Sequence, residues 1–499
     1  MLNRFRDVSD TRFVSIVVAL YLLLSLPLLL KWPVPMADEA VFASTAKTLI
    51  EKGHLGTRLV HGLESHMHWQ PPLYFLTLAP VIEIAGYRLA SLRSFSVLTG
   101  AAIVVLVFLV GRKLGDVFSG KMAAFALVCD PYFVKYVKYV RMDGLCVVFM
   151  LTALLLFLDP LFRRKSANLL MVGILLTLAL LTHPLGLVFV IVYLLHVLGE
   201  PPRHVSERLR NALLIIVPLA IGAVLWGVYV MQDPVDFTKQ MSFQFTRKDR
   251  SLILSIVNSI GQYRNFPLSL AMPLGGLIYV MCYAKRDRPG LRFFAWLLLG
   301  IMITVLLKPE VPYHVYTASF GSIAAGLLLA KWWRNRRNIV RYTSAATVCL
   351  LLLNTLLVTG YLNYLYHFGF ARETDYEKFC TAVADHVTHG STVCVWGTPS
   401  LYWGLEKQRP DIQLMDAFFI DSLKAVQLGK TADYLVSTRS FSPEMDSTVL
   451  QGQYKFFAAI CSSSDREVRL IATVGIVARF AYSAEIYHIV PTKYESESH

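Results

Sequence analysis

Long apolar runs, broken by short polar turns, recur along this chain from Phe13 to Leu362. They occupy residues 13–30, 95–110, 122–140, 144–158, 169–181, 187–198, 213–231, 267–283, 293–307, 315–330 and 348–362. Most approach the roughly 20 apolar residues that a helix needs to cross about 30 Å of hydrocarbon. The pattern predicts about eleven membrane-spanning helices. The first run is longer than the 7–15-residue core of a signal peptide, so it reads as an uncleaved span.

One apolar segment does not fit the series. Residues 72–86 (PLYFLTLAPVIEIAG) are short and hold Pro80 and Glu83. They read as an interfacial or re-entrant helix. If this segment stays at the surface, the basic turns at 112–121, 163–165, 203–210, 285–292 and 331–341 all fall on one side. That is the positive-inside arrangement, with the N-terminus cytoplasmic. A crossing at 72–86 would reverse it for most of the chain.

Two polar segments interrupt the runs on the other side. Residues 37–74 open with Asp38-Glu39, contain His54, His61, Glu64, His66 and His68, and close on HMHWQPPLYF. A helix is expected over 39–50, where Asp38 is a natural N-cap. Residues 232–266 hold Gln240, Gln244, Arg247, Lys248, Asp249 and Arg250, followed by a predicted helix over 252–263. Beyond about residue 364 the long apolar runs stop. There 392–397 (TVCVWG) and 434–438 (YLVST) read as buried strands, and 375–386 and 421–428 as helices. This is the pattern of a small α/β layer. The expected fold is therefore a polytopic α-helical membrane protein whose first outer loop carries interfacial helices. Residues 1–363 form the membrane domain and 364–499 an extracytoplasmic α/β domain.

Composition agrees with this class. The chain is 55% hydrophobic and only 16% charged, against about 25% charged in soluble domains. That excess is too large for one globular core. The net charge of +14 would suggest nucleic acid in a soluble protein. Here the basic residues sit in turns between spans, so no nucleic-acid partner is implied. Cys380, Cys394 and Cys461 lie in the polar C-terminal part, where an oxidising compartment would allow two of them to pair.

The threading places several polar groups at one face. They are Asp38, Glu39, His66, His68, Gln70, Arg141, Asp143, the 240–250 cluster, Lys308 and His314. Ionisable groups at the mouth of spans are costly and usually mark a site. Separated carboxylates with cations nearby suit transfer of a sugar from a phosphate leaving group. One carboxylate acts as general base on the acceptor, while cations offset the charge growing on the phosphate. The transition state has oxocarbenium character.

Asp38-Glu39 after the first span, then QPPLYF, then Arg141-Met142-Asp143, resembles the GT-C glycosyltransferases. Within them the chain is most similar to the bacterial lipid A aminoarabinose transferases and the protein O-mannosyltransferases. The resemblance implies a sugar donor on a polyprenyl-phosphate carrier, inversion at the anomeric carbon, and a bacterial cytoplasmic membrane location. It implies Asp38 as base and Asp143 as a second site carboxylate, with Glu39 beside them. In the lipid A enzymes a lysine precedes the double proline, whereas this chain has Gln70, which donates a hydrogen bond but carries no charge. The carrier phosphate is then expected to rely on Arg247, Lys248, Arg250 or Lys308, with His68, Arg141 and His314 as further substrate contacts. No cofactor is required by the pattern, although His66 and His68 could hold a divalent metal. The acceptor stays open between a lipid, a glycan and a protein, with membrane lipids as surroundings. A glycolipid transporter or flippase is the alternative, but it would concentrate ionisable groups near mid-membrane. The C-terminal domain is expected to recognise the acceptor or a partner.

Overall fold

The structure is a computed structural model of the chain. It describes residues 9–30, 33, 35–57, 59, 63–159, 166–199, 204–247, 252–283, 288–307, 310–335, 337–362, 376–396, 399–416, 431–439, 466–474 and 483–491. In chain order the first helices are α1 (Asp10–Ser25), α2 (Ala37–Lys52), α3 (Leu73–Ala85), α4 (Leu89–Leu114), α5 (Val117–Val128), α6 (Pro131–Tyr136), α7 (Asp143–Phe157) and α8 (Ser166–Thr182). Next come α9 (Gly186–Gly199), α10 (Val205–Val230), α11 (Pro234–Arg247), α12 (Leu252–Gln262), α13 (Leu268–Tyr283), α14 (Pro289–Leu307), α15 (His314–Trp333) and α16 (Asn338–Asn354). The C-terminal elements are α17 (Tyr376–Ala384), β1 (Thr392–Trp396), α18 (Pro399–Gln408), β2 (Gln413–Asp416), β3 (Tyr434–Arg439), β4 (Arg466–Val474) and β5 (Ser483–Pro491).

The chain divides into two compact units. The first comprises Met1–Leu29 and His68–Tyr364, the second Leu30–Met67 and Leu365–His499. Residues 30–67, which the hydropathy pattern attaches to the membrane domain, thus pack with the C-terminal segment.

The first unit is built around α15, which is buried from His314 to Ala330. Small residues let its neighbours approach. A side chain at Gly326 would collide with the backbone of Ala123 on α5, and one at Gly321 with Pro273 on α13. Lipid offers no hydrophobic drive between helices, so such close backbone packing is what holds spans together. The helices α4, α10, α14 and the segment from Asn338 to Leu357 are long and apolar enough to cross a membrane. Shorter apolar helices pack among them, and the chain is a multi-pass membrane protein. On α10 the residues Leu213, Ile221, Val224, Leu225 and Val228 stay exposed on the protein surface, as a lipid-facing side requires.

Polar contacts mark the two ends of this unit. At one end Arg112 and Lys121 lie 3.4 and 3.6 Å from the Asp10 carboxylate, and Lys113 lies 2.7 Å from Asp159. Asp116, the N-cap of α5, pairs there with Arg334. At the other end Arg93 Nη1 donates to the Leu29 carbonyl at 2.7 Å, just beyond α1. α1 thus ends where α4 begins, and the 13 residues of α3 span about 20 Å of helix.

The apolar run 122–140 is not one helix. Asp130 accepts hydrogen bonds from Tyr132 N and Phe133 N at 2.9 and 3.1 Å, and Pro131 supplies no N–H. The helix therefore stops at Val128 and restarts as α6. The predicted helix over 252–263 is present as α12. Its Ser259 hydroxyl donates to the carbonyls of Val305 and Leu306 at 3.3 and 2.9 Å. Those carbonyls end α14 and lack partners in their own helix. Ile253, Leu254, Val257 and Ile260 face outward.

The second unit holds a five-stranded sheet in the order β2-β1-β3-β5-β4. β2, β1 and β3 are parallel, while β5 is antiparallel to both β3 and β4. The strands expected from TVCVWG and YLVST are β1 and β3, and the helix over 375–386 is α17. The helix expected over 421–428 lies outside the described residues. α18, β2, β4 and β5 were not expected. Cys380 and Cys394 are buried free thiols, and Cys461 lies outside the described residues.

Candidate active site

Asp38 sits in the first turn of α2 but does not cap it. The cap position is Met36, and Glu39, three residues on, accepts the Met36 N–H on Oε2 at 2.8 Å. A carboxylate there satisfies an orphan donor and favours the helix dipole. Glu39 is fully buried and Asp38 half-buried. The helix ends at Gly53, whose φ of 73° is the left-handed conformation that glycine adopts without strain. The chain then folds back along α2. Met67 N donates to Leu55 O at 2.6 Å, Thr57 N to Leu63 O at 2.7 Å, and Thr57 Oγ1 to Ser44 Oγ at 3.0 Å. Gly56 makes this possible, since any side chain there would collide with the Glu64 carbonyl.

In the first unit the centre is Asp143, the first residue of α7. Its Oδ2 receives Arg141 Nε at 2.8 Å. Its Oδ1 is buried with no hydrogen bond among the described residues. His183 Nε2 lies 4.0 Å from this oxygen. His183 Nδ1 accepts the Leu185 N–H at 3.1 Å, so the neutral ring carries its proton on Nε2, toward Asp143. The rings of Tyr313 and Tyr316 lie 5.5 and 6.0 Å from that imidazole. Burial disfavours the Arg141 charge, but Asp143, Glu310 and Tyr313 outweigh it and hold the guanidinium above its usual pKa. Burial, together with Glu310, pushes the Tyr313 phenol well above the usual range. His183, Tyr313 and Tyr316 were not among the expected site residues. The His183-Pro184 step at the end of an apolar run is the signal that could have found the first.

A second group of cations adjoins this turn. Lys138 and Arg93 are fully buried, and the Arg93 guanidinium lies 5.8 Å from the Tyr139 ring centre. Burial, with repulsion from Arg93 and Lys135, pushes the Lys138 ammonium well below its usual pKa. An anion bound beside these groups would favour the charged form of Lys138 again.

The other expected residues are distributed as follows. Both ring nitrogens of His314 are engaged, Nδ1 with Tyr263 Oη at 2.6 Å and Nε2 with Gln262 Oε1 at 3.0 Å. Tyr132 stacks on Tyr136 and donates to the Gln262 carbonyl, so His314 ties α15 to the end of α12. His68 N donates to Gln240 Oε1 at 2.8 Å, and its ring lies 5.1 Å from Tyr229 and 6.0 Å from Phe237. The Gln70 Oε1 is buried with no hydrogen-bond partner among the described residues. Arg247 closes α11, while Lys248, Arg250 and Lys308 lie outside the described residues. The His66 ring lies 6.4 Å from that of His54. Among the described residues no three of His, Cys, Asp and Glu gather into a metal-holding group.

The family model of dolichyl-phosphate-mannose-protein mannosyltransferase matches residues 69–226. No curated protein sequence matches the chain. Among solved structures, ArnT from Cupriavidus metallidurans in the apo state superposes with a TM-score of 0.61 at 14% identity, over 95% of this chain and 98% of that one. The same protein bound to undecaprenyl phosphate gives 0.60 at 14% identity, over 96% and 98%. The archaeal oligosaccharyltransferase AglB from Archaeoglobus fulgidus, in complex with an inhibitory peptide and a dolichol-phosphate, gives 0.57 at 13% identity, over 87% and 70%. At these identities the likeness is one of fold. The chain has the GT-C glycosyltransferase fold, and it resembles ArnT and the protein mannosyltransferases.

Proposed function

We propose that the protein is an inverting glycosyltransferase that moves a sugar from a polyprenyl-phosphate carrier to a lipid, glycan or protein acceptor at the outer face of the cytoplasmic membrane. The observation that carries this reading is the buried Arg141–Asp143 pair, with one carboxylate oxygen fixed and the other left to a ligand. A buried acceptor without a partner costs about 1–3 kcal/mol, and a substrate hydroxyl would supply that hydrogen bond. Asp143 therefore orients a sugar or acceptor hydroxyl. Arg141, Lys138 and Arg93 offset the negative charge on the departing phosphate. Asp38, assigned from its DE pair, removes the acceptor proton. The acceptor oxygen forms its bond to the anomeric carbon as the carbon–oxygen bond to phosphate breaks, and the carrier phosphate leaves with the electron pair. The N-terminus is cytoplasmic and the sheet domain extracytoplasmic.

The experiment is transfer from a panel of labelled polyprenyl-phosphate sugars by the purified protein in vesicles, with mixed envelope lipids, glycans and proteins as acceptors. The account expects one donor to be consumed with inversion at the anomeric carbon. Donor translocation without consumption would make the protein a glycolipid transporter.

A further inference from the structure

The helix that carries Asp38 belongs by packing to the C-terminal domain. α2 packs against α18 within the second unit. Lys47 Nζ lies 3.7 Å from Glu51 Oε1 on its own helix and 3.8 Å from Glu406 Oε1 on α18. The opposite side of α18 is taken by α17, since a side chain at Gly404 would collide with Cys380. Residues 404 and 406 stand about 200° apart on a helix, so α18 is a middle layer between α17 and α2. On α2 the fully buried Ala40 and Ala43 share the stripe of Lys47, seven and four residues before it. Small residues there allow close approach. Asp38 precedes Lys47 by nine residues, which is about half a turn out of phase. One side of α2 is thus fastened to α18, and the opposite side carries Asp38.

We infer that the C-terminal domain is the mount of α2 and sets the placement of Asp38, with Ala43, Lys47 and Glu406 as positioning residues. The catalytic consequence rests on the proposed role of Asp38, whereas the fastening itself does not.

The test uses the full-length protein in vesicles with Ala43→Leu, Glu406→Lys, Lys47→Glu and the exchanged pair Lys47→Glu/Glu406→Lys. Amide hydrogen exchange is read over residues 39–50 and over the spans, and kcat and KM are read with the labelled donor. The Lys47 and Glu406 side chains are 26% and 25% exposed, so each single reversal speeds exchange in α2 by about 2–5-fold. The exchanged pair restores it, and the spans do not change. The Ala43→Leu wedge lowers kcat on the order of 100-fold, as a misplacement of about 1 Å does, without a matching change in donor KM. Unchanged exchange in α2 for all single variants overturns the inference, as does faster exchange with kcat unmoved. If the wild type transfers no sugar, the proposed function fails. The exchange arm then decides the mount alone: faster exchange restored by the exchanged pair supports it, and no change overturns it.

Discussion

Replacing Arg141 by alanine removes the cation from the most enclosed ion pair described at the site. The Arg141 and Asp143 side chains are 5% and 3% exposed, with Nε 2.8 Å from Oδ2. Solvent screening is small at such burial. Breaking a buried pair from one side costs about 3–5 kcal/mol, because the remaining charge is left without compensation. Glu310 also acts on Arg141, so loss of the guanidinium removes a cation from two carboxylates and places the cost near the upper end, about 5 kcal/mol. Arg112→Ala is the internal control. Its partner Asp10 is 36% exposed and Arg112 is 49% exposed, so about 0–1 kcal/mol is expected there. Equilibrium unfolding in mixed micelles, followed by far-UV circular dichroism, measures both. The double variant Arg141→Ala/Asp143→Ala should recover about 2 kcal/mol of the loss, since contacting charges are not additive. An Arg141→Ala cost equal to that of Arg112→Ala would show that water reaches the pair, and the dry anion-binding site would be refuted.

Two further perturbations follow from the same geometry. Asp130 accepts the Tyr132 and Phe133 N–H groups at 2.9 and 3.1 Å and so caps α6. Asp130→Ala removes that cap and should cost about 1 kcal/mol, read as a lower unfolding midpoint in mixed micelles, and an unchanged midpoint would contradict the capping role. His183→Leu removes the Nε2–H that faces Asp143. It should lower kcat about 5-fold, on the order of 1 kcal/mol for a polar contact longer than a hydrogen bond, with donor KM unchanged. An unaltered kcat in a normally inserted variant would leave His183 a packing residue only.

The membrane class, the helix α3 and the residue pair at 141 and 143 were legible because each rests on local pattern. Hydropathy gives a span from one window. Asp130-Pro131 was equally local, yet its apolar surroundings hid the helix break. What was not legible depends on distant segments. Nothing near Ala37 shows that α2 packs on α18, some 360 residues later. The central position of α15 comes from glycines at 321 and 326 meeting α13 and α5, and single-sequence hydropathy does not distinguish that from any other span. His314 was expected as a substrate contact, but both ring nitrogens are engaged by residues of a segment about 50 positions earlier. Of the phosphate contacts expected at Arg247, Lys248, Arg250 and Lys308, only Arg247 falls within the described residues, and the buried cations Lys138 and Arg93 were not expected because nothing local marks them as buried.

The central claim is sugar transfer with Asp38 as base, and the measurement that tests it most directly compares wild type with Asp38→Asn. Membranes holding equal amounts of each protein are given the labelled donor that the wild type consumes, and the initial rate of transfer is read. General-base catalysis contributes about 10²–10⁴-fold, so the account predicts a rate lower by at least about 100-fold in the Asn variant. Equal rates would contradict it and move the base away from α2, leaving Asp143 as the carboxylate to be tested next.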